Sequence, residues 1–136
     1  MMNKLFLKIV SPDGEIFSGE AKSIIVTTVN GELQVLAGHA DLISPLATGR
    51  AKLTFMDGTE RSAAVSGGFI LVSKEETKVV ATTFEFADEI DISRANAAKQ
   101  KSEEALKAAK EEQEVEVAKA KLMRAISRIS VATKKS

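Results

Sequence analysis

FEFADEID, residues 84–91, divides the chain into two halves with different composition. All eight glycines lie at or before Gly68, both prolines are Pro12 and Pro45, and the six phenylalanines end at Phe86. The fifty residues after Phe86 contain none of the three. Gly and Pro punctuate strands and turns, whereas Ala, Glu, Lys and Leu fill helices. The boundary therefore separates a strand-rich segment, 1–87, from a helical one, 88–136.

Upstream of the boundary, NKLFLKIV, EIFSG, KSIIVTTV, ELQVL, RAKLTF, ERSAAV, FILVS and KVVATTFEF follow one another, most with turn residues between them. Eight to ten short strands over about 85 residues predict an antiparallel β-sandwich or barrel. Asp57-Gly58 reads as a two-residue hairpin turn, because Gly supplies the positive φ such turns require. Ser66-Gly67-Gly68 marks a bulge or sharp bend.

Downstream, Ala95, Ala98, Ser102, Ala105 and Ala109 step by three and four, giving a helical stripe of small side chains. Val115, Ala118, Leu122, Ala125, Ile129 and Ala132 repeat the steps with larger residues. The first stripe, continued, lands on Glu112 and Glu116, so the phase slips within EEQEVE. No Gly or Pro enforces a bend there. The segment has two options: a hairpin turning near Gln113 that packs stripe on stripe, or a rod of about 40 residues, roughly 60 Å long at 1.5 Å per residue.

The totals narrow the functions. At 136 residues the chain suits one compact domain or a domain with an appendage. Nineteen basic and nineteen acidic residues leave no surplus charge for a phosphate backbone, which argues against nucleic acid. The absence of cysteine excludes disulfides, thiolate metal sites and thiol nucleophiles, and fits a reducing compartment. MMNKLFLKIVSPDGE has too short an apolar core for a signal peptide, and no run approaches the roughly 20 residues that span a bilayer. A cytoplasmic protein, at most peripheral to a membrane, is expected.

The one histidine, His39, stands in GELQVLAGHADL, residues 31–42. Asp41 and Ser44 give it no recognised catalytic spacing, so a tight loop with the imidazole bonded internally or to a partner is the better reading. No metal-ligand cluster and no phosphate-loop or dinucleotide pattern is present. Asp91 is placed to cap the first helix, and Arg124 and Arg128, four apart, share a face of the second. In a hairpin they return toward Arg94, and three guanidiniums near one carboxylate suit a polyphosphate. A cap with solvated arginines paired to local acids is the alternative.

Five segments in order, LKIVSPDGEIF, GELQVLAGHADLISPLATG, VSGGFILV, EIDISRANAA and KAKLMRAISRISVA, resemble the epsilon subunit of bacterial F-type ATP synthases, the counterpart of the mitochondrial delta subunit. The resemblance spans nearly the whole chain. It implies a sandwich of about ten strands followed by a two-helix hairpin. It also implies a non-catalytic central-stalk subunit that docks on gamma and on the membrane rotor ring, peripheral to the cytoplasmic face of the membrane. In that family the helical segment, extended into the alpha/beta catalytic head, blocks ATP hydrolysis; folded on the sandwich, it permits turnover. GELQVLAGH resembles the family loop GELGILPGH, which implies partner contacts for Glu32 and His39; Gln34 and Ala37 replace its usual Gly and Pro. No cofactor is required, but some members bind a regulatory ATP. Glu85, Asp91, Arg94, Arg124 and Arg128 match the positions used, and Lys101 stands where some of those members carry Arg.

Overall fold

A computed structural model describes residues 4–134 of the chain, and the side chains of 4–133. Its β part has eight strands among the described residues: β1 (Leu5–Ser11), β2 (Gly14–Ala21), β3 (Ser23–Thr28), β4 (Gly31–Leu36), β5 (Leu42–Pro45), β6 (Gly49–Thr54), β7 (Glu60–Val72) and β8 (Thr77–Phe86). A 3-10 turn, Ala87–Glu89, leads into α1 (Ile92–Ala108) and α2 (Glu112–Lys134).

The strands form one folded sheet in the order β2-β1-β8-β7-β6-β3-β4, with β5 on β7. Its fold-over lies in β7. Residues 60–65 of β7 pair with β6, whereas Phe69–Val72 pair with β5. Gly67 and Gly68 stand between these halves, with φ of +65° and +99°. The β7–β8 register runs unbroken past them, from Ala63↔Phe86 to Val72↔Thr77. The glycine pair is thus a bend without a bulge, and ERSAAV and FILVS are two arms of one strand. That merger reduces the eight segments read from the sequence to seven, and LISP, not among them, adds the short strand β5 and makes eight, against the about ten that the resemblance implies. Pro45 is tolerated at the end of this short strand.

One pairing departs from the antiparallel expectation: β1 runs parallel to β8, Leu7↔Thr77 through Val10↔Val80. Alternation along each strand sends one set of side chains inward. Leu7, Ile9, Ile70 and Val79 from one layer meet Ile24, Val26, Val35 and Leu53 from the other, all at most 1% exposed. Each such side chain contributes about 1.5–3 kcal/mol.

The β6–β7 hairpin differs slightly from the two-residue form. Gly58 N donates to Phe55 O at 3.0 Å and Phe55 N to Thr59 O at 2.8 Å, leaving Met56-Asp57-Gly58 as the loop. Gly58, at φ +89°, takes the left-handed position. The Thr59 hydroxyl, then its amide, hold the Asp57 carboxyl below its usual range.

The helices form the hairpin, one of the two expected forms, and α2 lies on β6 and β7. The turn occupies residues 109–111 rather than Gln113, with Ala109 extended at φ −67°, ψ 130°. Helix formers in the turn do not prevent it, because packing of the two stripes outweighs propensity. Ala95 and Ser102 of α1 and Ala118, Ala125 and Ala132 of α2 are buried. Ala105, about one helical turn before the hairpin turn, is exposed.

Candidate functional site

Phe84 and Phe86 point into the core, so Glu85 between them projects to the side that carries the helices. Arg128 of α2 brings Nε to 3.0 Å from Glu85 Oε1. That oxygen is shut off from water, yet no hydrogen bond is directed at it. The pair is therefore an ion contact of imperfect geometry. Asp91 caps α1 with Oδ1 accepting from Arg94 N at 3.1 Å.

A cleft of about 200 Å³ opens among these groups, lined by Glu85, Glu89, Asp91, Arg94, Ala98 and Arg128. Four of the five sequence candidates for an anion site converge there. Arg124, half-buried one turn before Arg128, does not line it. Lys101 is exposed on α1, two turns beyond Arg94. The charge balance also differs from an arginine surplus: three carboxylates face two guanidiniums. Glu89 is the added acid, and no helical spacing could announce it because it precedes the helix. The volume lies under the roughly 300–1,000 Å³ of usual ligand pockets.

Glu32 and His39 are not neighbours. Glu32 is exposed near the start of β4, opposite Thr27. His39 follows the other end of that strand, three residues beyond Leu36, which itself lies about 13 Å along β4 from Glu32 at 3.3 Å per residue. Its backbone N donates to Leu36 O at 3.1 Å, and Nδ1 lies 2.7 Å from Ala40 O, so the proton sits on Nδ1. The imidazole is bonded within its own loop. Gly38 permits that loop, with φ +84°.

A further surface escaped the reading of the sequence. Register places Val10, Val80, Phe69 and Pro45 side by side across β1, β8, β7 and β5, with Leu71 beside Ile43 in the neighbouring row. These residues alternate with core residues, so they face outward. Ile43 is 70% exposed and Phe69 51%. The signal was present in GGFILV, apolar at every position, as in strands covered on both faces. Among the described residues, no cluster of three or more His, Asp or Glu side chains could hold a metal.

Comparison with known proteins assigns these features to a family. Residues 4–87 match the model of the ATP synthase delta/epsilon chain β-sandwich domain, and residues 88–133 match that of its long α-helix domain. The chain is 37% identical over 134 residues to the ATP synthase epsilon chain of Caldanaerobacter subterraneus subsp. tengcongensis, covering 98% of this chain and 97% of that one. It is 39% identical over 131 residues to the epsilon chain of Exiguobacterium sp., covering 96% of each. Its fold superposes with a TM-score of 0.84 on a chain of the Euglena gracilis mitochondrial ATP synthase, at 21% identity over 98% of this chain and 83% of that one. A chain of the Tetrahymena thermophila mitochondrial ATP synthase central stalk and c-ring gives 0.63, at 15% identity over 96% of this chain and 95% of that one. The chain belongs to the ATP synthase delta/epsilon chain family.

Proposed function

We propose that this chain is a central-stalk subunit whose sandwich docks on the gamma subunit through the apolar outer face of β1, β8, β7 and β5, and also meets the membrane rotor ring. The two neighbouring exposed rows, one containing Phe69 and the other Ile43, carry this reading. A contiguous outward apolar surface on a small domain marks a contact with another protein. Among the described residues, no helix is long and apolar enough to cross a membrane. Attachment at the cytoplasmic face then comes through the partners. Phe69→Lys with Ile43→Lys is expected to weaken association with gamma at least about 100-fold, the scale of buried interface anchors, while the circular dichroism of the chain is unchanged. Retained copurification with gamma would move the docking surface elsewhere.

The helical hairpin is the inhibitory element. Beside the buried face that carries Val131, its polar ties to the sandwich undo at little cost: a hydroxyl-to-carbonyl bond, Ser127 Oγ to Gly49 O at 3.3 Å, and the imperfect Arg128–Glu85 contact. Released, α2 exposes the face that carries Val131 and can seek the alpha/beta catalytic head. An assembled complex whose chain ends at Ala87 is expected to hydrolyse ATP several-fold faster than one with the full chain. Equal rates would remove the inhibitory role and leave the stalk role standing.

A regulatory ATP at the hinge cleft is a second reading, supported by the convergence of Glu85, Asp91, Arg94 and Arg128. The nucleotide would have to draw Arg128 off Glu85, and Arg124 would have to swing in. Calorimetry on the full chain at millimolar ATP should then give heat that Arg124→Ala and Arg128→Ala each reduce about tenfold or more in affinity. Absence of heat from the unmodified chain ends this reading.

A further inference from the structure

Arg61 is the second residue of β7 and points inward with Ala63 and Val65 at the open end of the core. Its guanidinium carbon lies 3.7 Å from the centroid of the Phe86 ring. Phe86, 3% exposed, is itself fixed edge-on to Phe84 at 5.3 Å. The same guanidinium donates through Nη2 to both carboxylate oxygens of Asp88, at 3.0 and 3.2 Å. One planar group thus covers the end of the core on one side and grips the first turn of the linker on the other. A guanidinium on an aromatic face and an exposed ion pair are each modest. Combined on one side chain, they need that side chain ordered only once.

The clasp shares no residue with the ties that hold α2 down. Those run from Ser127 to Gly49 and from Arg128 to Glu85. Past Asp88 the chain is held loosely. Ile90 and Asp91 are extended, at φ −78°, ψ 127° and φ −84°, ψ 105°, and Ile90 N reaches Ala87 O only at 3.3 Å. Glu89 is exposed.

We propose that Arg61, Phe86 and Asp88 form a permanent clasp that keeps residues 87 and 88 on the sandwich when the helices leave, so that the arm turns about residues 89–91. The clasp fixes where the arm begins. Each residue of slack adds about 3.3–3.6 Å of reach, so an open clasp lets the start of α1 wander about 7 Å farther and blurs where the arm lands. The pivot belongs to the chain alone and does not depend on what the arm inhibits.

Backbone 15N relaxation on the full chain tests this. Val131→Asp serves to lift α2, because Val131 shares a face with Ser127 and Arg128 and lies outside the sandwich core. In Val131→Asp, order parameters of Ala87 and Asp88 should stay near about 0.85 while those of residues 89–91 fall below about 0.6. Adding Arg61→Ala should bring residues 87 and 88 down to the same range. Arg61→Ala also uncovers Phe86, so Asp88→Ala, which leaves the core intact, is the second variant and should loosen residues 87 and 88 as well. Residues 87 and 88 becoming mobile in Val131→Asp with the clasp intact, or staying rigid in Val131→Asp with Asp88→Ala, overturns the proposal.

Discussion

Gly68→Ala is expected to destabilise the chain by about 4 kcal/mol or more. A Cβ at this position would stand 1.8 Å from Val80 O and 2.8 Å from Ala81 Cα. Both obstacles are backbone of β8, the strand hydrogen-bonded to β7 here, and no rotamer change relieves them. The left-handed φ of +99° adds about 1–3 kcal/mol for any residue with a Cβ. Relief requires parting β7 from β8 at the bend where the sheet folds over. Against a typical stability of about 5–15 kcal/mol, such a loss leaves a marginal protein. Urea unfolding measures it. Gly58→Ala is the control: it has the same sign of φ, +89°, with nothing within 4 Å of the added carbon. It should cost only the backbone part. Equal midpoints for the two variants would mean that the bend yields more easily than its geometry indicates.

Val131→Asp should have the second largest effect, on a different equilibrium. Val131 is 3% exposed and stands one turn after Ser127 and Arg128. A carboxylate there loses its water with no partner on the sandwich, which costs about 3 kcal/mol or more. It also offers Arg128, three residues earlier, a rival to Glu85. The docked hairpin should therefore be depopulated about 100-fold or more. Hydrogen exchange reads this as lost protection along α2 with β7 and β8 unaffected, since Val131 is no part of the sandwich core. Ile126→Asp, at a position 43% exposed, should do little. Protection of α2 equal to that of the unmodified chain would mean that docking does not rest on this face.

Much of this architecture was legible in the sequence because it follows from local rules. The compositional break at Phe86, the alternation within each strand, the Asp91 cap and the two helical stripes all depend on residues a few positions apart. What escaped depends on residues far apart. The parallel β1–β8 pair joins strands separated by most of the sandwich. The merging of ERSAAV and FILVS needs the register of β8 across both arms, since two glycines also suit a loop. Of the five positions expected around an anion, Asp91, Arg94, Arg124 and Arg128 follow from capping and helix spacing, whereas Glu85 came only with the family resemblance. Spacing returns Arg128 toward Arg94, but gives no means of seeing Glu89 or of turning Arg124 aside. Glu32 and His39 were joined by a shared loop motif, whereas an intervening extended strand keeps them apart. Arg61 stood in an unremarkable strand; only its stacking on a phenylalanine twenty-five residues later gives it a part.

β7 and β8 each run from one layer into the other, paired throughout. Two sheets joined only by side chains can slide past each other under load, because their contacts have no direction. Here sliding would have to stretch covalent backbone and shear a whole ladder of hydrogen bonds at once. The sandwich should therefore carry a twisting force as a stiff block, and any compliance in the molecule is concentrated in the few residues between Asp88 and α1.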